Sequence, residues 1–435
     1  MTFEIEQPAA DLAPSTVVGP TKPRLLGVLG PGLITGASDD DPSGIATYSQ
    51  AGAQFGYALT WTMMFSYPLM TAVQIVSARM GRTTGRGLAG NLRQHCPTWL
   101  LTSVVTLLLI ANTINLGADL GAMADACRLV FGGSQVLYVL LFAAICIALQ
   151  VFLQYTRYVS VLKWLTLFLF AYVATLFMVK VPWGEALRSF VVPSVHWDKD
   201  YLTTVVAVLG TTISPYLFFW QASQEAEDVR TLPARQILKR APKQGEGALN
   251  RIQLDTFVGM GFSNLIALSI MITAAATLHA NNVTDVQTSA QAAEALRPIA
   301  GSFAETIFAL GVVGTGLLSV PVLAGSAAYA LGDARKWPTG LSRQPMEAKA
   351  FYAVICIATI VGMIMNFTPV DPIRALYWSA VINGVVAAPV MAIMMWLAAT
   401  PKVMGEFAVT GWVRTLGWVA TGVMTFAVVA MVAAT

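Results

Sequence analysis

The chain has 435 residues, of which 56% are hydrophobic and only 11% are charged, and its mean hydropathy is +0.65. Because a soluble domain carries about 25% charged residues, this composition indicates an integral membrane protein. The net charge of +3 is small and the basic residues are spread among loops, which gives no support to nucleic-acid binding. The four cysteines show no metal-ligand spacing, a pattern that favours packing roles.

The first 24 residues differ in character from the rest of the chain. They contain the acidic residues Glu4 and Glu6 and lack a basic region followed by an apolar core, so they are not a signal peptide. We interpret them as a disordered cytoplasmic tail. Windows of about 20 apolar residues then predict eleven membrane-spanning helices, near residues 25–56, 58–78, 99–126, 136–153, 158–179, 202–223, 254–278, 303–331, 350–366, 373–399 and 413–433.

The basic residues also predict how the spans are oriented. If the spans alternate from a cytoplasmic N-terminus, most of the 26 lysines and arginines fall on the cytoplasmic side. The positive-inside rule therefore predicts a cytoplasmic N-terminus and an extracytoplasmic C-terminus, in the inner membrane of a bacterium.

The first span carries Asp41-Pro42-Ser43-Gly44 in the middle of an apolar run. A carboxylate at that depth costs roughly 2.5–3.5 kcal/mol on insertion scales and usually marks an ion or proton pathway. Pro42 removes a backbone donor, and the Ser-Gly pair after it tolerates non-helical geometry. A helix broken here would direct carbonyl groups and a carboxylate into one space, as in a cation site.

The sixth span also has a central proline, Pro215, among small and polar residues. Two broken helices five spans apart predict two repeats of five helices each. Because five spans are an odd number, the second repeat enters the membrane from the opposite side, and the two repeats must be inverted relative to each other. Inverted-repeat transporters bind their substrate where two broken helices meet at the midplane. We therefore predict a ten-helix core over residues 25–400, with repeats at about 25–180 and 201–400, followed by an eleventh helix in 401–435.

These residues resemble the natural resistance-associated macrophage protein family, NRAMP, of divalent-metal transporters. The resemblance is carried by Gly30-Pro31-Gly32-Leu33, Asp41-Pro42-Ser43-Gly44, Gln50-Ala51-Gly52-Ala53 and Ser214-Pro215. It implies an all-α, leucine-transporter-like fold of five plus five helices with an eleventh helix added, whose first and sixth helices are broken. It also implies a metal site formed by Asp41, Gly44, Thr211 and Ser214.

Departures from the family pattern point to the cargo. The family has Asp-Pro-Gly-Asn in the first span and Met-Pro-His in the sixth, so Gly44 replaces the metal-binding Asn, Ser214 the metal-binding Met and Tyr216 the His associated with protons. Asp41 matches the binding Asp, and Thr211 occupies the position that supplies a backbone carbonyl. In the third span Asp119 matches an acidic residue, whereas Ala122 replaces the Glu. This pattern resembles the prokaryotic NRAMP-related magnesium transporters.

The ligand chemistry agrees with that resemblance. A thioether selects softer transition metals over Mg²⁺, and Mg²⁺ keeps several waters when one or two carboxylates bind it. We therefore expect a widened site for a partly hydrated Mg²⁺ ion, with Mn²⁺ also accepted, and no resident cofactor. Asn383 in the tenth span is either a contact for a hydrated ion or an interhelical hydrogen-bonding residue. Asp119 is either part of a proton or water path or a structural partner of a neighbouring helix.

The three histidines all fall in predicted loops, so we expect alternating-access uptake without proton coupling. A proton-coupled Mn²⁺/Fe²⁺ importer is the nearest alternative. A sodium-coupled amino-acid symporter would share the fold, but Asp41 would repel the substrate carboxylate. An intramembrane enzyme is disfavoured, because the spans contain no histidine base and no His-Glu-x-x-His or Gly-x-Ser-x-Gly motif. The expected partners are the metal ion and the lipid bilayer, with no nucleic acid and no obligate protein partner.

Overall fold

The computed structural model describes residues 35–36, 38–152, 166–232 and 234–434, and the regular structure in these ranges is helical. The predicted tail, residues 25–34 of the predicted first span and residues 158–165 of the predicted fifth span lie outside the described residues. In the first half of the chain the helices are α1 (Pro42–Phe55), α2 (Trp61–Thr84), α3 (Leu88–His95), α4 (Thr98–Phe131), α5 (Gln135–Phe152), α6 (Phe170–Thr175), α7 (Trp183–Val191), α8 (Lys199–Thr212) and α9 (Pro215–Thr231).

The second half continues with longer helices joined by short connections. They are α10 (Gly245–Thr277), α11 (Ser289–Glu294), α12 (Arg297–Ala300), α13 (Ala304–Arg335), α14 (Lys349–Met365), α15 (Pro372–Ala399), α16 (Pro401–Met404) and α17 (Gly411–Ala433). Seven helical stretches among the described residues are long and apolar enough to cross a membrane, and one of them combines α8 and α9. The all-helical membrane fold predicted from the sequence is confirmed.

Both predicted helix breaks are present. Thr35, Gly36, Ser38 and Asp39 are helical, a bend follows at Asp40, and α1 begins at Pro42. In the sixth span α8 ends at Thr212, and Ile213 leaves helical geometry with φ −123° and ψ 56° before α9 begins at Pro215. Each proline occupies the first position of the second helix, where its missing N–H would have no helical partner.

The broken helices lie at the centre of the molecule. α1 packs against α10, α15, α8 and α4, while α8 packs mainly against α15 and α9 against α2 and α13. The apolar window that spans α8 and α9 is buried throughout. Polar groups at the two breaks are therefore held inside protein, which is where irregular backbone is tolerated at membrane depth.

One glycine contact fixes how closely two of these helices approach. A Cβ atom on Gly210 would lie 2.1 Å from the Ala380 carbonyl oxygen and 2.5 Å from the Gly384 nitrogen of α15. The absence of a side chain at Gly210 therefore allows α8 to pack backbone to backbone on α15, as small residues do between membrane helices. This contact lies one residue before Thr211 and positions the end of α8.

Candidate metal-binding site

Asp41 is the N-cap of α1, and its side chain is 1% exposed. One carboxylate oxygen, Oδ1, accepts hydrogen bonds from the Ser43 hydroxyl at 2.6 Å and the Gly44 backbone N–H at 2.8 Å. The other, Oδ2, accepts from the Asn115 amide at 3.0 Å and lies 3.4 Å from the Tyr216 hydroxyl. The charge is thus surrounded by donors, as a buried carboxylate requires.

Asn115 was not identified from the sequence. It lies on α4, and its amide oxygen accepts a 2.7 Å hydrogen bond from the Ser379 hydroxyl of α15. Asn115 therefore connects Asp41 to the tenth span through a buried polar chain. The spacing along the sequence could have indicated Asn115 and Ser379. Asn115 lies four residues before Asp119, and Ser379 lies four residues before Asn383, so the two members of each pair share one helix face.

The sixth-span break brings Thr211, Ser214 and Tyr216 to the interior, each about 1% exposed. The Ser214 hydroxyl lies 2.7 Å from the Gly210 carbonyl oxygen and 2.8 Å from that of Thr211, so it donates back into α8. Its oxygen keeps acceptor capacity, as does the Thr211 carbonyl. The Tyr216 hydroxyl donates to the Ser38 carbonyl at 3.0 Å, which links the two breaks.

Gly44 has close neighbours in α1 and at the end of α8. A Cβ atom at Gly44 would lie 3.2 Å from the Tyr48 ring, 3.3 Å from the Thr211 hydroxyl oxygen and 3.4 Å from the Asp39 carbonyl oxygen. These neighbours occupy much of the room that an asparagine side chain would need. The wider site expected from the loss of both the amide and the thioether remains a prediction.

Asp119 and Asn383 are both buried, in α4 and α15. Asp119 accepts a 2.8 Å hydrogen bond from the Ser319 hydroxyl of α13, and its second oxygen has no hydrogen-bond partner within the described ranges. Neither polar atom of Asn383 has such a partner there. The interhelical hydrogen bond considered for Asn383 is therefore not formed with the described residues, whereas Asp119 does contact a neighbouring helix.

Two further carboxylates, Asp39 and Asp40, lie immediately before the break and are 0% and 3% exposed. Both approach the Ser263 hydroxyl of α10, at 2.6 Å from Asp39 Oδ2 and 3.1 Å from Asp40 Oδ1. Their shared partner Ser263, on the seventh span, was not identified from the sequence.

The histidines lie away from this centre. His95 ends α3, His196 lies in the connection before α8, where it packs against the Tyr201 ring, and His279 follows α10, where its Nδ1 lies 2.8 Å from the Ala53 carbonyl oxygen. Partial burial, with Lys239 and Arg86 nearby, lowers the pKa of His95.

Comparisons with known proteins agree on one family. The family described as "Natural resistance-associated macrophage protein-like" matches residues 32–434. A divalent metal cation transporter, MntH, of Klebsiella pneumoniae (strain 342) is 28% identical over 412 residues, covering 92% of each chain. The manganese transporter of Eremococcus coleocola superposes with a TM-score of 0.72 at 18% identity, over 95% of this chain and 88% of that one.

A second solved fold is also similar. MhsT in complex with L-phenylalanine superposes with a TM-score of 0.61 at 10% identity, over 93% of this chain and 97% of that one. At such low identity the likeness concerns the fold alone.

Proposed function

This chain belongs to the natural resistance-associated macrophage protein family, and we propose that within it the chain transports a partly hydrated divalent cation, Mg²⁺ and also Mn²⁺. It is a transporter and not an enzyme. Divalent metal as cargo is supported by the relatives of this chain, which include a divalent metal cation transporter and a manganese transporter. The preference for Mg²⁺ is supported by the residues around Asp41.

The observation that carries the proposal is the Asp41 carboxylate between two helix breaks, with oxygen-bearing groups on the facing helix. Asp41 would bind the ion directly, and the Thr211 carbonyl and Ser214 would complete the shell with retained waters. Gly44 and Ser214 stand where the family resemblance implies an amide and a thioether, so neither offers a soft ligand. A site of carboxylate, carbonyl, hydroxyl and water oxygens suits Mg²⁺ and Mn²⁺.

The hydrogen bonds of Asp41 explain why a hydrated ion suits this site. Both carboxylate oxygens already accept from protein donors, Ser43 and Gly44 on Oδ1 and Asn115 on Oδ2. The Tyr216 hydroxyl lies farther from Oδ2, at 3.4 Å, and donates to the Ser38 carbonyl, so its contact with Asp41 is the first that an arriving ion would replace. Water molecules on the ion donate O–H groups as Asn115 does, and the carboxylate would exchange donors without losing hydrogen bonds.

Tyr216 and the peripheral histidines support transport without proton coupling. A tyrosine has a reference pKa near 10 and does not exchange protons readily at neutral pH. We propose import by alternating access into a cell whose N-terminal side is cytoplasmic, across a bacterial inner membrane, with the ten-helix core at residues 25–400. An inside-negative potential would contribute about 2.3 kcal/mol per charge per 100 mV.

Ion-competition flux in proteoliposomes tests the proposal. Mg²⁺, Mn²⁺, Ca²⁺ and Cd²⁺ uptake would be compared for the natural chain, for Asp41→Ala and for Asp285→Ala, an exposed acid in the connection after α10 that serves as a matched control. We expect Asp41→Ala to reduce Mg²⁺ and Mn²⁺ uptake at least tenfold and Asp285→Ala to leave it unchanged. Unchanged Mg²⁺ uptake in Asp41→Ala would remove Asp41 from the mechanism.

The second candidate function is a proton-coupled Mn²⁺/Fe²⁺ importer. The manganese-transporting structural relative favours it, and the buried Asp119, which has an oxygen without a partner among the described residues, could serve a proton path. A much stronger interaction with Cd²⁺ than with Mg²⁺ in calorimetry on the purified protein would favour this candidate, since Cd²⁺ is the softer ion.

A further inference from the structure

Tyr48 lies against the candidate site and has no role in the set of ligands proposed above. It belongs to α1, one turn after Gly44, and its side chain is fully buried. Because helical side chains lean towards the N-terminus of their helix, the ring extends back towards the helix break. Its Cε2 atom lies 3.2 Å from the Cβ position of Gly44, so the phenol borders the residue whose N–H binds Asp41.

The end of α8 meets the phenol at the same point. The Thr211 hydroxyl oxygen lies 3.3 Å from the Cβ position of Gly44, and the Thr211 side chain is a hydrogen-bonding partner of the Tyr48 hydroxyl. The two hydroxyls therefore connect the two broken helices beside Asp41. Thr211 offers this hydroxyl in addition to the backbone carbonyl that the sequence predicts as a ligand.

The residue at position 44 and the ring of Tyr48 share one space. A Cβ atom at Gly44 would be closer to the ring than ordinary van der Waals contact allows, so a larger residue there would press the ring away from Thr211. The family resemblance implies an asparagine at this position, whose amide would bind the metal directly. In this chain the amide is absent, and a phenol from the next turn of α1 lies in the adjoining space.

A pair of hydroxyl groups suits an ion-bound water molecule. When one hydroxyl donates to another, lone pairs on the two oxygens remain free to accept a further hydrogen bond. A water molecule held by a divalent cation can donate to such an oxygen. Mg²⁺ dehydrates reluctantly, so a group that accepts from its retained water stabilises it, whereas an ion that loses its water more easily gains less from that group.

We propose that Tyr48 determines ion specificity by accepting a hydrogen bond from a water molecule retained on the cation at Asp41. The Thr211 hydroxyl is a positioning group, because it fixes the direction of the phenol and acts through it. The inference rests on the proposed function, since it requires a partly hydrated divalent ion at Asp41. Tyr48 contacts the water of the ion and not the ion itself, so loss of its hydroxyl changes the preference among ions.

Uptake of Mg²⁺ and Mn²⁺ into proteoliposomes, measured in parallel and normalised to the amount of folded transporter, tests this inference. The variants are Tyr48→Phe, which keeps the ring beside Gly44, Thr211→Val, which keeps the backbone carbonyl, and both changes together. Tyr172→Phe is the matched control, because Tyr172 is also buried and its hydroxyl meets Ser49 of α1.

We expect Tyr48→Phe to lower the ratio of Mg²⁺ uptake to Mn²⁺ uptake by about threefold or more, because Mg²⁺ depends more on its retained water. Thr211→Val should shift the ratio in the same direction. The double variant should shift the ratio no further than Tyr48→Phe alone, since groups in direct contact have non-additive effects. Tyr172→Phe should leave the ratio unchanged.

A natural ratio in Tyr48→Phe, or an equal shift in Tyr172→Phe, would show that Tyr48 only packs beside Gly44. Equal losses of Mg²⁺ and Mn²⁺ uptake in Tyr48→Phe would have the same meaning. Each of these results overturns the inference, while the proposed function stands as long as the natural chain takes up Mg²⁺. A natural chain that carries Mn²⁺ but no Mg²⁺ would overturn the proposed Mg²⁺ transport, and the role of Tyr48 with it.

Discussion

At the residue scale, Asp41 combines a structural and a chemical role. It caps α1 through the Gly44 N–H, a contribution worth about 1 kcal/mol in typical helices, and it presents its second oxygen to Asn115 and Tyr216. The cap fixes the direction of the carboxylate, so the helix break itself aims the charge at the sixth span. Replacing Asp41 removes both roles, which is why its neighbours give more selective tests.

Asn115→Ala is such a test. It leaves Asp41 in place but removes the donor that orients its Oδ2 and connects it to Ser379. Groups that orient a metal ligand typically change affinity 10–100-fold when removed, so we expect Mn²⁺ affinity, measured by calorimetry, to fall by about tenfold or more.

The matched control for Asn115→Ala is Asn112→Ala, on the same helix. Asn112 donates to the Leu323 carbonyl and to Ser326 of α13 and has no contact with Asp41. Asn112→Ala should lower the melting temperature and keep the metal affinity within about twofold of that of the natural chain. Equal losses of affinity in the two variants would show that Asn115 acts only through stability.

The pair Gly44→Asn with Ser214→Met tests the argument from ligand softness. An added amide and thioether should move the preference in flux competition from Mg²⁺ towards Cd²⁺ and Mn²⁺. Because a Cβ atom at Gly44 already meets Tyr48 and Thr211 at 3.2 and 3.3 Å, Gly44→Ala is needed as the control for crowding. Gly44→Ala should slow transport without changing the order of ions; an unchanged order in the pair as well would refute the softness argument.

At this scale, residues that are unusual inside a membrane span could be identified from the sequence, but the residues that they contact could not. Asp41 and Pro42 stand out in an apolar run whatever surrounds them. The Asn115 contact depends on the crossing of α1 and α4, and the shared Ser263 depends on α10 packing against the first span; neither geometry is encoded in spacing along one helix. The roles assigned to Thr211, Ser214 and Asn383 remain predictions.

At the scale of elements, prolines in the spans behave in two ways. Pro68, Pro321 and Pro389 lie inside continuous helices, whereas Pro42 and Pro215 begin new ones. The difference is in the residues before the proline. Asp41 and Ser214 adopt extended geometry, with ψ of 170° and 133°, as the residue before proline prefers, and these breaks were predicted correctly because polar and small residues surround them.

Gly210→Ala tests whether the close contact between α8 and α15 positions the sixth-span break. The new Cβ would lie 2.1 Å from the Ala380 carbonyl oxygen, so the helices must separate. Overpacking of this kind costs about 1–3 kcal/mol, and we expect a lower melting temperature in detergent together with reduced flux.

Gly247→Ala provides the control, because Gly247 lies in α10 with nothing within 4 Å of its Cβ position. That change should be neutral, or should stabilise the helix by up to about 1 kcal/mol. A Gly210→Ala variant as stable and active as Gly247→Ala would mean that the contact does not hold α8 in place.

At the scale of the whole molecule, composition alone indicated an integral membrane protein, and the order of the apolar runs predicted the helical architecture. Helix ends agree with the predicted spans within two residues at α15 and α17, whereas α4 extends five residues beyond its predicted end. The cytoplasmic N-terminus and the two inverted repeats stay predictions. What the sequence could not supply is packing, because the approach of Thr211 to Gly44 depends on how α8 packs against α1, which no local pattern reveals.

The most direct test of a hydrated-divalent transporter centred on Asp41 is simultaneous recording of Mg²⁺ uptake and internal pH in proteoliposomes at an inside-negative potential. The natural chain should take up Mg²⁺ without a pH change linked to metal uptake, and Asp41→Ala should show at least tenfold less uptake. Absence of Mg²⁺ uptake, with Mn²⁺ or Cd²⁺ entering together with protons, would contradict the account.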